Sequence, residues 1–318
     1  MTFTPSSDDA QTPRYSVVIP VYNSAGVVGR TVDTVIEVFR GAHLAFEVIL
    51  VNDGSPDDSW EVIRAKALEH PEVVSLDLLK NYGQHYANLA GLQESRGEFV
   101  ITMDDDLQNP PEEALKLIAE AEKGHDVVFG EFERKQARGY RRLGSVLISM
   151  INRRVFGQPH DLPVSNYRVL RRDVVDRICR SRTAYPYLTG QALMYSSQRS
   201  SVVVRHDPRT VGKSTYSMAK ILKLVFTILF SYSSFPLRFA AMVGFGIAAL
   251  SFVLGGVYLI LGLLGQTKVQ GWTTLVVLLS VFNGFTIALL SMLGEYVVRT
   301  LNTVSRDESF HVVARVRQ

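Results

Sequence analysis

The 318-residue chain contains a single cysteine, Cys179. That excludes an internal disulfide framework and a cysteine zinc cluster. Net charge is only +3, so no polyanionic partner such as nucleic acid is implied. No apolar run is followed by a P-loop or a GxGxxG loop. If nucleotide phosphates bind here, something else must neutralise them, and a divalent ion held by carboxylates is the natural substitute. The opening residues, MTFTPSSDDAQTPR, carry no hydrophobic signal segment. Residues 1–13 are therefore expected to be disordered, and the domain that follows to fold in the cytoplasm.

Charge is also missing from two later stretches, Phe239 to Gly265 and Gly271 to Gly294. Each exceeds the roughly 20 residues that span a bilayer as a helix. Helices of that length without a polar face are rare in soluble folds. The pair is predicted as a transmembrane hairpin within 237–299, with helices at about 239–265 and 271–296 joined by QTKVQ. Lys213, Lys220, Lys223 and Arg238 precede it, Arg299 and Arg306 follow it, and only Lys268 lies in the turn. The positive-inside rule then places the soluble domain and both termini in the cytoplasm, at a multi-pass inner-membrane protein. Residues 213–236, around MAKILKLVFTILF, read as an amphipathic helix lying at the membrane surface. Residues 300–318 read as a cytoplasmic tail. Glycines 244, 246, 255, 256 and 262 permit close helix packing, within the hairpin or in a homo-oligomer.

The soluble part, residues 14–212, alternates apolar runs with helical periodicity. Strands are predicted at Tyr15–Tyr22, Phe46–Asn52, Val73–Leu79, Glu98–Met103 and Asp126–Phe132, with helices between them. This βαβα rhythm predicts an α/β domain with a parallel sheet covered on both faces. Ligands of such sheets bind beyond the carboxyl ends of the strands. Several polar clusters fall there, including Asp53-Gly54-Ser55, Lys80-Asn81-Tyr82 and Asp104-Asp105-Asp106.

The last cluster, in MDDDLQNPPEE, carries the chemistry. Strand alternation points Asp104 and Asp106 to one side and Asp105 to the other. A hard divalent ion takes carboxylate and amide oxygens, and Gln108 supplies an amide two residues on. Asn109 reads as an N-cap, with Pro110 at the first helical position and Glu112 completing a capping box. The alternative is a solvated acidic loop ahead of a capped helix.

In order and spacing, YSVVIPVYN, VNDGSPDD, KNYGQH and MDDDLQNPPEE resemble glycosyltransferase family 2. Within it they resemble the membrane-bound polyprenyl-phosphate transferases, including dolichyl-phosphate mannose synthases and bacterial undecaprenyl-phosphate enzymes. The resemblance covers nearly the whole chain, the hairpin ending in LGEY included. It implies a GT-A, Rossmann-like domain. It implies nucleotide-sugar contacts at Pro20, Tyr22, Asp53, Asp104 and Asp105, with Asp53 at the base edge. It implies Mg2+ or Mn2+ held by Asp104, Asp106 and Gln108. Acceptor phosphate contacts are implied at Arg134, Arg142, Arg168, Arg209 and Lys213, and catalytic roles at Asp104, Asp106 and Arg168. The sequence departs from the family at Asn52, Ser24, Asn166 and Thr215.

The implied reaction is one inverting displacement, from a nucleotide sugar to polyprenyl phosphate at the lipid bilayer. UDP-glucose is the expected donor, with GDP-mannose and UDP-aminosugars as alternatives. A phosphate monoester is already ionised near neutral pH, so no strong general base is required, even with Asn166 in place of an acid. A processive polysaccharide synthase is disfavoured, because no QxxRW motif is present. A non-catalytic membrane scaffold is disfavoured by the retained Asp53, Asp104, Asp106 and Gln108. Within the triplet, Asp105 is expected to be the dispensable acid.

Overall fold

The computed structural model describes residues 12–132, 140–183, 185–207, 218–233, 235–264, 271–305 and 310–318. Among these, the chain divides into two compact units. The first holds an eight-stranded sheet in the order β7-β5-β6-β4-β1-β2-β3-β8. Strands β1 (Tyr15–Val21), β2 (Phe46–Asn52), β3 (Val73–Leu78) and β4 (Phe99–Thr102) run parallel. Strands β1, β2 and β4 are buried along their whole length, as strands with both faces covered must be. Helix α1 (Val28–Gly41) turns Val28, Val32, Val35, Ile36 and Phe39 inward, a single stripe at helical spacing. Helices α2 (Ser59–Glu69), α3 (Gln84–Glu94) and α4 (Pro111–Ala121) follow the next three strands.

The expected parallel core is present, but the sheet is mixed. Strands β5 (Val127–Phe132) and β7 (Arg199–Val204) pair parallel to each other. Strand β6 (Arg168–Arg171) lies antiparallel to both β4 and β5. Helices α5 (Tyr140–Phe156), α6 (Arg172–Arg180) and α7 (Leu188–Tyr195) complete this part. Strand β8 (Val312–Arg317) pairs antiparallel with β3. The C-terminal residues were expected as a tail, and this is a correction. The exposed edge of β3 offers unpaired backbone groups that a late strand can satisfy, and Arg315 pairs with Glu94 there.

The beginning of α4 also differs from expectation. The helix starts at Pro111, Pro110 occupies the capping position, and no side chain caps it. Proline at the capping position has no side-chain acceptor to offer, and each of the two prolines holds the residue before it extended. Asn109 instead brings Oδ1 within 3.2 Å of His206 Nδ1.

The second unit contains most of α8 (Met218–Tyr232), with α9 (Phe235–Leu263) and α10 (Trp272–Ser305). At 1.5 Å per residue, α9 and α10 are roughly 43 and 51 Å long, more than the hydrocarbon core requires. A Cβ on Gly244 of α9 would stand 3.1 Å from the Phe285 ring of α10, so this glycine sets the close approach of the two helices. In α10, Val281–Val298 is long and apolar enough to cross a membrane, and none of it is buried.

Candidate active site

The strand order fixes where a ligand can enter. From β1 the chain builds outward through β2 and β3, then returns to place β4 on the other side of β1. The loops after β1 and β4 therefore diverge, leaving a crevice at their carboxyl ends. Tyr22 and Asn23 follow β1, and the acid triplet follows β4.

The triplet lies in a turn. Strand β4 ends at Thr102, and the Met103 amide still reaches the Val18 carbonyl at 3.1 Å. Beyond it, strand alternation no longer decides where the acids point, a correction to the expected geometry. Hydrogen bonds decide instead. Asp104 Oδ1 accepts from Gln84 Nε2 at 2.7 Å. Ser24 and the Tyr22 backbone interact favourably with the Asp105 carboxylate, while the Ser24 hydroxyl donates to the Tyr22 carbonyl at 3.0 Å. The Asp105 carbonyl accepts from Thr31 Oγ1 at 2.8 Å. Asp106 Oδ1 accepts the Gln108 amide at 3.1 Å. Between those two, Leu107 sits at φ 58. That left-handed conformation costs a non-glycine residue roughly 1 kcal/mol or more, and here it curls Asp106 and Gln108 into one turn. The Gln108 carbonyl is held in turn by the Asp207 amide at 2.9 Å.

This crowding has an electrostatic signature. Burial, then the charges of Asp106 and Asp105, push the Asp104 carboxyl up to about 6. Burial and Asp106 push Asp105 up to about 6 as well. Protons cling to carboxylates whose negative charge is poorly compensated, and a bound cation would relieve that. Among the described residues, no group of three or more His, Cys, Asp or Glu could form a protein-only metal site. The donors present, two carboxylates and one amide, suit a hard ion that completes its shell with substrate phosphates and water. Asp104, Asp106 and Gln108 thus fit Mg2+ or Mn2+.

Asp53 closes the neighbouring wall. Its carboxylate accepts the amides of Tyr82 at 2.7 Å and Gly83 at 2.9 Å. Burial raises its pKa, against the pull of those two bonds. Gly54 beside it has φ +59, and an added Cβ would stand 2.5 Å from the backbone of Lys80 and Asn81. Glycine there lets the two loops touch. Asn52, in the position of a family acid, donates to Asp77 at 2.7 Å. Pro20 is buried within β1, whereas Tyr22 is 50% exposed. Of those two, Tyr22 is the ring open to a planar ligand.

Arg168 is the unexpected placement. Expected beside an acceptor phosphate, it is 1% exposed at the start of β6, in register with Thr102 of β4. Its Nη1 donates to Thr189 Oγ1 at 2.9 Å, and its Nε has no partner. Burial lowers its pKa to about 10, while Tyr187 and Asp104 pull the other way. The nearby His85 is held neutral, lowered to about 4 by burial and by the Arg168 charge. Gln84, His85, Tyr187 and Thr189 were not singled out from sequence; the NYGQH motif was the available signal for the first two. Arg134, Arg209 and Lys213 lie outside the described residues, as does the Arg142 side chain.

Residues 16–179 match the family model described as glycosyl transferase family 2. The undecaprenyl-phosphate 4-deoxy-4-formamido-L-arabinose transferase of Pseudomonas fluorescens is 34% identical, across 93% of this chain and 88% of its own length. The corresponding enzyme of Proteus mirabilis is 32% identical, across 92% and 90%. Among solved structures, glucosyl-3-phosphoglycerate synthase from Mycobacterium tuberculosis, in complex with Mn2+, UDP-glucose and phosphoglyceric acid, superposes with a TM-score of 0.51. It shares 16% identity, covers 69% of this chain and 78% of its own, and shares the fold.

Proposed function

This chain belongs to glycosyl transferase family 2 and is a glycosyltransferase, and on that premise we propose that it moves a sugar from a nucleoside diphosphate onto polyprenyl phosphate at a membrane surface. The observation that carries the reading is an oxygen-donor turn at the β1/β4 crevice, in a chain that also presents an unburied apolar helix. Such a helix, Val281–Val298, has no stable place in water. A polyprenyl acceptor keeps its phosphate at the bilayer surface, within reach of a domain anchored there.

The two-span hairpin remains part of the proposal. Among the described residues one stretch, Val281–Val298, is long and apolar enough to cross a membrane. The pairing of β8 with β3 of the catalytic sheet fits an even number of crossings. The basic flanking residues favour the cytoplasmic side.

A divalent ion at Asp104, Asp106 and Gln108 would stabilise the leaving diphosphate. The remaining tasks fall to the chain itself. The Tyr22 ring is open to the base, and Asp53 holds the loop that lines the base site. Asp105 ties the acid turn to the loop after β1. Arg168 places a buried positive charge behind Asp104, in surroundings where charge is weakly screened. The acceptor phosphate is its own nucleophile, so Asn166 suffices where relatives carry an acid.

The donor sugar is the finer part of the proposal. UDP-glucose was expected from sequence, whereas the named substrate of the relatives is a formamido-arabinose. We place the formamido-arabinose nucleotide first and UDP-glucose second. Purified full-length protein is to be incubated with undecaprenyl phosphate, Mg2+ or Mn2+ and each UDP-sugar, with GDP-mannose alongside, and the lipid product weighed by mass spectrometry. Turnover of one donor fixes the assignment. Turnover of none with either ion defeats the transferase reading.

A further inference from the structure

Gln84 is exposed, yet its side chain is committed. It is the first residue of α3, and its Nε2 makes the one hydrogen bond among the described residues to the Asp104 carboxylate, at 2.7 Å. The backbone just before it is pinned. Gly83 adopts φ +98, which glycine tolerates. The amides of Tyr82 and Gly83 are fastened to the two carboxylate oxygens of Asp53. The position of Gln84 is therefore set by the end of β2, and Gln84 passes that position on to the end of β4. The Gln84 side-chain amide thus grips one oxygen of the Asp104 carboxylate.

Resting on the reading of Asp104 as a contact of the ion and nucleotide, we infer that Gln84 is a positioning residue, holding the Asp104 carboxylate in the orientation that donor binding requires. The amide donates to Oδ1 and fixes the rotation of the carboxylate, and the remaining lone pairs would be the ones offered to an ion. A carboxylate oriented before binding loses less freedom when the ligand arrives. Glutamine suits the task where neighbouring residue types do not. Asparagine is shorter by one methylene, and glutamate would add a fourth carboxylate without a donor.

The test is calorimetric binding of UDP, with GDP in parallel, to the full-length protein in detergent, once with Mn2+ and once with EDTA. Gln84→Leu removes the donor at an exposed position and takes nothing from the core. It is expected to weaken the Mn2+-supported affinity by about tenfold, the scale of one hydrogen bond to a charged group. Affinity in EDTA, the KM for polyprenyl phosphate and the melting temperature stay unchanged. Gly83→Ala has open space for its Cβ but the wrong φ. It displaces Gln84 through the backbone and is expected to reproduce the Mn2+-dependent loss. Unchanged Mn2+-supported affinity in Gln84→Leu overturns the inference, and so does an equal loss with Mn2+ and with EDTA. Wild-type protein that bound neither nucleotide would instead overturn the underlying assignment of Asp104.

Discussion

Val17, Val18 and Ile19 of β1 are fully buried, whereas Ile287 and Leu290 of α10 are 61% and 62% exposed. All are branched aliphatic residues, and the placements are opposite. The difference teaches that the two units are built for different solvents. The sheet unit drives its apolar side chains inward and leaves polar turns at the strand ends for chemistry. The helical unit turns apolar side chains outward, as a helix that faces lipid would. Chemistry and anchoring are therefore separable, and substitutions in one unit should leave the other function standing.

The strongest attempt to break that separation is Asp106→Ala. It is expected to lower transfer to polyprenyl phosphate by about three orders of magnitude, the scale for losing a charge-stabilising group at a reacting centre. The protein should still fractionate with membranes. Activity within tenfold of wild type would remove Asp106 from the ion site. Leu290→Arg is the reciprocal test. A charge at the centre of a membrane helix costs about 3 kcal/mol on the insertion scale. Carbonate extraction should then release more of the variant, while UDP binding by the extracted protein persists. Equal retention in the membrane pellet would mean that Leu290 does not face lipid.

How far the sequence could be read follows the same division. Strands β1 to β5 and the helices between them were legible, because each declares itself within a few residues through its own period. The apolar helices were legible through missing charge, although α10 continues to Ser305. What escaped depends on partners distant along the chain. Strand β6 has only four residues, RVLR, with an arginine at each end, and is a strand because β4 and β5 flank it. Strand β8 reads as a cytoplasmic tail until β3 is there to pair with it. The burial of Arg168 follows from that same β6 register, which sets it beside Thr102 at the end of β4. Gln84 was visible only as part of a motif, since its role depends on where two loops meet.

Asp105 sharpens the comparison within the acid turn itself. Strand alternation made it the dispensable acid. The structure gives its carboxylate favourable interactions with Ser24 and the Tyr22 backbone, and its carbonyl the Thr31 hydroxyl. Asp105→Ala is expected to reduce kcat/KM by about tenfold, the scale of one polar interaction lost beside a loop. That loss lies well below the one predicted for Asp106→Ala. An effect as large as that of Asp106→Ala would mean that Asp105 meets the ligand directly.

A last test reads the surroundings of a half-buried thiol in the sheet unit. Cys179, the chain's single cysteine, lies in α6, so alkylation reports on this unit alone. Burial pushes its thiol up to about 11, with Arg172 opposing and Asp176 adding to the rise. The thiolate is the reactive species. At pH 8 its share falls to about one in a thousand, against about a quarter for an unperturbed cysteine. Iodoacetamide should therefore label the native protein about a hundredfold more slowly than the urea-unfolded chain. The rate should climb about tenfold per pH unit until the thiol itself titrates. The stability consequence has a definite sign. A pKa raised by folding favours the native state in full below the unfolded value of about 8.5, and that contribution is lost as pH rises toward about 11. Native labelling as fast as unfolded labelling at pH 8 would show that the half-buried Cys179 thiol is not shielded by its surroundings in α6, and the contrast between an inward-packed sheet unit and an outward-facing helical one would fail at that helix.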